Sequence, residues 1–296
     1  MSNYVLSSCS TVDLTPAKMK EMDVPFVNFH LKLGDGFYND DMGQEISTEE
    51  IYTRMLAGED AKTSQVSMVE YKEFFEKFLK EGKDVLHIVF SSGLSGSINS
   101  ARLAQEELQE EYPDRKIYII DSLAASAGHG LLVAKAASLK KEGMSIDDLF
   151  DWIEEHKLEV HHWFYSTDLT FFIKGGRVSK GAGLVGNMLG ICPLLNVDWE
   201  GHLIPREKIR GKKKVMARTL QMMKDHAQDG TNYSGKCFIS HSDMQEGAET
   251  LASMIEEAFP NLDGKVEIYP IGPTIGCHTG PGTIALFFWG DKREEE

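Results

Sequence analysis

Cysteine is scarce in this chain and poorly spaced for any framework. Cys9, Cys192, Cys237 and Cys277 lie far apart with no Cys-x-x-Cys pair, which argues against a disulfide scaffold and a cysteine zinc site and leaves buried free thiols as the expectation. Long apolar runs are also missing. No segment approaches the ~18 residues of a membrane span, and Met1 to Ser8 carry neither the basic n-region nor the apolar stretch of a signal peptide; the sequence predicts a cytoplasmic protein without an integral membrane segment. Positive charge is in deficit, with Lys+Arg 31 against Asp+Glu 46 and a formal net charge of -15, so nonspecific binding to nucleic acid or anionic membrane is not expected. The deficit is uneven: acids far outnumber bases up to residue 160, and the two nearly balance afterwards. Arg206, Lys208, Arg210, Lys212, Lys213, Lys214 and Arg218 form a basic run with Glu207 as its one acid. Such a run reads as a solvated turn and helix start, or as a docking surface for a phosphate-carrying or acidic partner.

With 296 residues, 42% of them hydrophobic, the chain has material for two domains, each able to bury a core. Strand-like runs at Tyr4 to Leu6, Pro25 to Leu33, Val85 to Phe90 and Ile117 to Ile120 alternate with helical patterns, which indicates an α/β fold. From Ser67, the residues Met68, Tyr71, Phe75 and Phe78 recur at helical spacing and read as a core-facing stripe. Helices near 126–141 and 145–157 precede a strand at 159–166, which places the domain boundary near Val160 and gives domains 1–160 and 161–296. The second contains a short helical, glycine-rich region, a hairpin across Glu200-Gly201, a helix from Lys212 to His226, and strands near 236–240, 265–269 and 283–289, read as a mixed sheet.

The segment richest in chemistry is the apolar strand Val85 to Phe90 running into Ser91-Ser92-Gly93-Leu94-Ser95-Gly96-Ser97 and then a helix. Unpaired amides and the positive dipole end of that helix, with the loop hydroxyls, suit an anion. A phosphate, a carboxylate or the oxyanion of an ester under attack would each fit. A P-loop is excluded, because no lysine stands where the terminal phosphates would need it. Gly181-Ala182-Gly183-Leu184-Val185-Gly186 matches a dinucleotide pattern, but no buried strand precedes it. Gly93-Leu94-Ser95-Gly96-Ser97 approaches a nucleophile elbow, and His278 follows late in the chain as a triad order requires. His161 and His162 point to opposite faces of their strand and cannot easily share an ion, so no metal site is expected.

Taken together, Thr63-Ser64-Gln65, the glycine loop 91–97, Asp121-Ser122 with Ala125-Ser126-Ala127-Gly128, Lys174-Gly175-Gly176-Arg177-Val178-Ser179, Cys192-Pro193-Leu194-Leu195 and His278-Thr279-Gly280-Pro281-Gly282 resemble, in order, the motifs of the DegV family, whose members are bacterial fatty-acid-binding proteins. The chain departs from that pattern at Cys9-Ser10, where the family usually carries Asp-Ser, and at Val66, where it often carries proline. The resemblance implies a two-domain α/β fold, with a mainly parallel sheet in the N-terminal domain and a mixed sheet flanked by helices in the C-terminal one. It also implies a long-chain fatty acid, C16 or C18, held between the domains.

By position, Thr63 and Ser95 would hydrogen-bond the carboxylate, with Ser92, Gly93, Arg177 and His278 supporting the head group. Met188, Leu189 and Ile191 would touch the tail. The protein would be a lipid-binding carrier without cofactor or catalytic residues of its own, and the resemblance extends to the fatty-acid-binding subunit of bacterial fatty acid kinase, where a separate ATP-dependent subunit phosphorylates the bound acid. The alternative is a serine hydrolase acting on a lipid ester with Ser95 and His278.

Overall fold

The computed structural model describes residues 3–179 and 190–295. Three sheets organise it. The first is wholly parallel, with strand order β2-β1-β6-β7, from β1 (Tyr4–Cys9), β2 (Phe26–Val27), β6 (Asp84–Val89) and β7 (Ile117–Asp121). One face is covered by α3 (Met68–Lys80) and α4 (Ser97–Glu111), whose Tyr71, Phe75, Ile98, Ala101 and Leu108 pack on Val85 and Val89. Cover on both faces is what lets β6 be apolar almost throughout. On the other face lies α5 (Ser126–Lys141), which also packs against the second sheet.

That second sheet is mixed, of order β10-β9-β8-β13-β11-β12, with β8 (Val160–Ser166), β9 (Ile191–Val197), β10 (Leu203–Arg210), β11 (Phe238–His241), β12 (Glu267–Pro270) and β13 (Thr283–Trp289). Its neighbours are antiparallel except β11 and β12. Leu6, Leu86 and Ile88 of the first sheet share one continuous core with Leu131, Leu132, Tyr165, Leu286 and Phe288. The α/β architecture, parallel first and mixed second, is the one expected. The four cysteines are free and buried, and among the described residues no helix is long and apolar enough to cross a membrane.

The third sheet was not anticipated. The run Pro25 to Leu33 is two strands in two sheets: β2 joins the parallel sheet, and β3 (His30–Leu33) is the centre of an antiparallel β4-β3-β5 sheet with β4 (Gly36–Asn39) and β5 (Ala61–Ser64). Its core of Leu31, Leu33, Ile51, Tyr52 and Met55 is small, and Phe37 on β4 is 75% exposed. Between β4 and β5 runs α2 (Thr48–Leu56). The remaining α-helices among the described residues are α1 (Pro16–Glu21), α6 (Ile146–His156), α7 (Thr170–Lys174), α8 (Lys212–His226), α9 (Gln245–Ala258) and α10 (Pro273–Thr279).

Candidate functional site

A cavity of about 450 Å³ opens between the glycine loop, α10 and the inner face of the mixed sheet, within the ~300–1,000 Å³ usual for small-molecule sites. Alternation along the strands builds its floor. His162 and Phe164 of β8 and Thr283, Ala285 and Phe287 of β13 face it, joined by Val197 and Leu203. In the register of the two central strands Ala285 stands opposite Phe164, so a methyl group lies among aromatic rings and leaves room above the sheet.

Thr63, Ser92, Ser95, Arg177 and His278 all line this cavity. Thr63 and His278 are in direct contact, Oγ1 to Nε2 at 2.7 Å across 215 residues of chain. Thr63 does not cap α3: Ser67 does, accepting from the Glu70 amide at 3.3 Å while the Glu70 carboxylate accepts from the Ser67 amide at 2.8 Å. Arg177 donates to the Leu94 carbonyl at 3.1 Å and to the Gly175 carbonyl. It therefore ties the turn after α7 to the glycine loop and brings its charge beside Ser95.

Burial, with Arg177 nearby, pushes the His278 imidazole down to about 4, so at neutral pH it is an uncharged partner and Arg177 is the cation of the group. Its Nδ1 is buried without a hydrogen-bond partner among the described residues. A Ser-His-acid relay needs a carboxylate at that nitrogen. Here Nε2 faces Thr63, and Ser95 Oγ accepts from the Ser97 amide at 3.3 Å; the hydrolase arrangement is not assembled.

Gly93 serves the loop and does not line the cavity. A Cβ there would stand 2.8 Å from the Glu200 carbonyl oxygen and from the Gly201 carbonyl, so glycine is what lets the loop lie against the β9–β10 turn. Ser91 secures the same approach, donating to the Gly201 carbonyl at 2.9 Å and accepting from the Gly93 amide at 3.2 Å. Ile191 opens β9 opposite Arg210 and is not among the lining residues. Met188, Leu189 and the glycine pattern 181–186 lie outside the described residues.

Sequence reasoning missed the wall contributed by Ser126, Thr274 and Thr279. Ser126 donates to the Asp13 carboxylate at 2.5 Å, and the Thr274 amide donates to Asp40 at 3.1 Å. Burial holds both carboxyls above the usual range. Ser126 and Thr279 each sit inside a motif already singled out, so the signal was present. The carboxyl partners of Ser126 and Thr274 are too remote in sequence to have been paired with them.

A family model described as "Uncharacterised protein, DegV family" matches residues 9–291. A DegV domain-containing protein of Clostridium perfringens is 38% identical over 294 residues, covering 99% of this chain and 100% of the relative. Among solved structures, one from Thermus thermophilus described as "Fatty Acid Binding of a DegV family Protein" superposes with a TM-score of 0.87 at 25% identity, covering 98% of this chain and 100% of that one. The Streptococcus pneumoniae fatty acid kinase B3 protein, loaded with linoleic acid, has a TM-score of 0.82 at 25% identity, again over 98% and 100%.

Proposed function

This chain belongs to the DegV family, and from that premise we propose that it binds one long-chain fatty acid, C16 or C18, between units 1–160 and 161–296. The carboxylate is held by Thr63 and Ser95 with Ser92, Arg177 and His278 around it, and the tail lies over the aromatic floor. The observation that carries this reading is the pairing of a hydroxyl-and-cation cluster with an apolar sheet face in a single cavity. A charge-assisted hydrogen bond contributes ~1.5–3 kcal/mol and each buried methylene ~0.8. The tail therefore dominates affinity and the head group fixes direction.

The test is to denature the purified protein, extract it with solvent and identify what is released by mass spectrometry. A near-stoichiometric C16 or C18 acid is expected. Thr63→Ala and Ser95→Ala should each weaken binding of added palmitate by about tenfold to a hundredfold. No acid after incubation with palmitate or oleate would sink the proposal.

The further step, presentation of the carboxylate to a separate ATP-dependent kinase subunit for acyl phosphate formation, is supported by the missing P-loop lysine and by the likeness to the kinase B3 protein. The basic run supplies a docking surface. Lys208 and Arg210 are exposed on β10, one of the two edge strands of the mixed sheet, and Lys212, Lys213 and Lys214 are exposed on the first turn of α8. Charges there also keep a bare edge from pairing with another chain. Reversing Lys212 to Lys214 to glutamate should leave palmitate binding intact and reduce acyl phosphate formation with a purified kinase subunit at least about tenfold; unchanged formation removes the docking role.

A further inference from the structure

His161 and His162 do face opposite ways. His162 turns to the cavity, its Nε2 accepting from the Ala125 amide at 3.2 Å and its Nδ1 donating to the Val160 carbonyl at 3.0 Å. On the other face His161, its side chain 7% exposed, meets two residues from elsewhere in the chain. Its Nε2 stands 2.9 Å from Asp291 Oδ1, and Nδ1 of His226 stands 3.2 Å from both oxygens of the same carboxylate. The geometry points to a metal site formed by His161, His226 and Asp291, one that takes a borderline divalent cation of the Zn²⁺ class and pins the C-terminal arm to the mixed sheet.

Three observations carry this. The donor set of two imidazole nitrogens and one carboxylate suits zinc with its fourth position left to solvent, and Asp291 is 63% exposed on that side. The spacing also fits. Metal–ligand bonds of ~2.0–2.2 Å at tetrahedral angles put ligand atoms ~3.3–3.5 Å apart, a few tenths beyond the separations to Asp291, and one atom from each of the three residues lies within 4.8 Å of the others.

Finally, the backbone itself brings the ligands together, and the Asp291 carbonyl also accepts from His161 Nε2 at 2.8 Å, a bond that metal binding at that nitrogen would replace. His161 is held in β8 opposite Phe288 of β13, His226 is the last residue of α8, and the Asp291 amide donates to the His226 carbonyl at 3.0 Å. Gly290 makes the approach feasible, since a Cβ there would fall 2.4 Å from the His226 carbonyl oxygen and 2.6 Å from the His161 ring. Binding through Nε2 of His161 moves that ring's proton to Nδ1. The Trp163 indole N–H, 3.4 Å from Nδ1 and stacked on His226 at 5.6 Å, then gives way.

Beyond Asp291, Arg293 donates to the Leu123 carbonyl at 2.9 Å and the Val197 carbonyl at 3.4 Å, so the pinned arm braces the start of the turn on which the glycine loop rests. The site lies on the opposite face of β8 from the acyl cavity, and its test reads metal binding without reference to the acyl ligand. Purified protein is titrated with Co²⁺ alone and then with Zn²⁺, following visible absorption, tryptophan fluorescence and thermal unfolding.

One equivalent of Co²⁺ should give the strong visible band of a four-coordinate site, displaced by Zn²⁺, with a rise in Tm. His226→Ala and Asp291→Asn, both at accessible positions, should weaken binding by more than the ~10–100-fold typical of losing an outer-shell partner, with acyl content unchanged. His202→Ala should bind as the parent does, although Asp198, Glu200 and His202 form the other grouping of metal-ligand type among the described residues. Co²⁺ binding that survives both variants, that is lost with His202→Ala, or that does not occur at a large molar excess overturns the assignment.

Discussion

Ala285→Phe is expected to weaken acyl binding by about two to three orders of magnitude in a protein that still folds. Ala285 lies at the centre of the cavity floor, opposite Phe164 and two residues from Thr283 and Phe287 on the same face. A benzyl group there takes the space of about four or five methylenes, and at ~0.8 kcal/mol each the lost burial is about 3–4 kcal/mol, two to three orders of magnitude in affinity. That exceeds the ~1.5–3 kcal/mol at stake in one head-group bond, so the floor variant should bind more weakly than Thr63→Ala. The fold should tolerate it, because the added atoms enter a cavity and not a filled core. Palmitate affinity measured beside Tm decides the matter: wild-type affinity in a folded Ala285→Phe protein would mean that the tail does not cross β13.

Acid should destabilise the delipidated protein well before its carboxylates titrate. His87 and His129 are fully buried and held down to about 3 by desolvation. His87 is caged by Tyr71, Phe74 and Phe75 and bonded to Ser7 at 2.9 Å, and His129 is bonded to Ser8 at 3.0 Å. Unfolded, each titrates near 6.5. Below that pH the unfolded chain takes up protons that the folded state refuses, so stability present above ~6.5 is lost as pH falls toward 3, at ~1.4 kcal/mol per unit for each ring.

Between pH 7 and 5 these two alone remove about 4 kcal/mol, a large part of a typical 5–15. Asp13 and Asp40 act in the opposite sense, since their raised values mean the folded state holds protons more tightly and acid relieves their burial. Urea unfolding at pH 7 and pH 5 should show the midpoint falling at constant m, and His129→Asn should flatten the slope. A midpoint that moves neither in the parent nor differently in His129→Asn would show that the fold does not keep the His129 ring neutral.

The strands Val85 to Phe90 and Ile117 to Ile120, the helix after the glycine loop, and the limits of α5 and α8 were legible because the pattern of each segment decides it, whereas the parallel order of the first sheet was implied by the family resemblance. The third sheet was not. Ala61 to Ser64 has no apolar face to announce a strand, and it is one because β3 offers an edge to pair with. Thr63 was read from its motif, yet its partner could only be guessed, since a contact spanning 215 residues leaves no local trace. The cavity floor was equally hidden: β8 is buried at every position from Val160 to Ser166, so its pattern does not tell which face meets helices and which meets a hollow. Gly93 looked like a ligand-facing glycine, and its neighbour proved to be a turn more than a hundred residues further on.

The bond between Thr63 and His278 has a consequence for how the molecule comes into being. One half of it is among the first quarter of the chain to be synthesised, and the other sits on α10, close to the last strand. A nascent chain can complete its first parallel sheet and the β4-β3-β5 sheet long before α10 exists, because those pairings need only residues up to 121. The site itself forms last, against the entropy of closing the whole intervening loop. Closure of the cavity is thereby reserved for the finished polypeptide: a stalled or truncated translation product, however well folded at its start, keeps Thr63, Ser92 and Ser95 but lacks Arg177, His278 and the sheet face that complete the cavity.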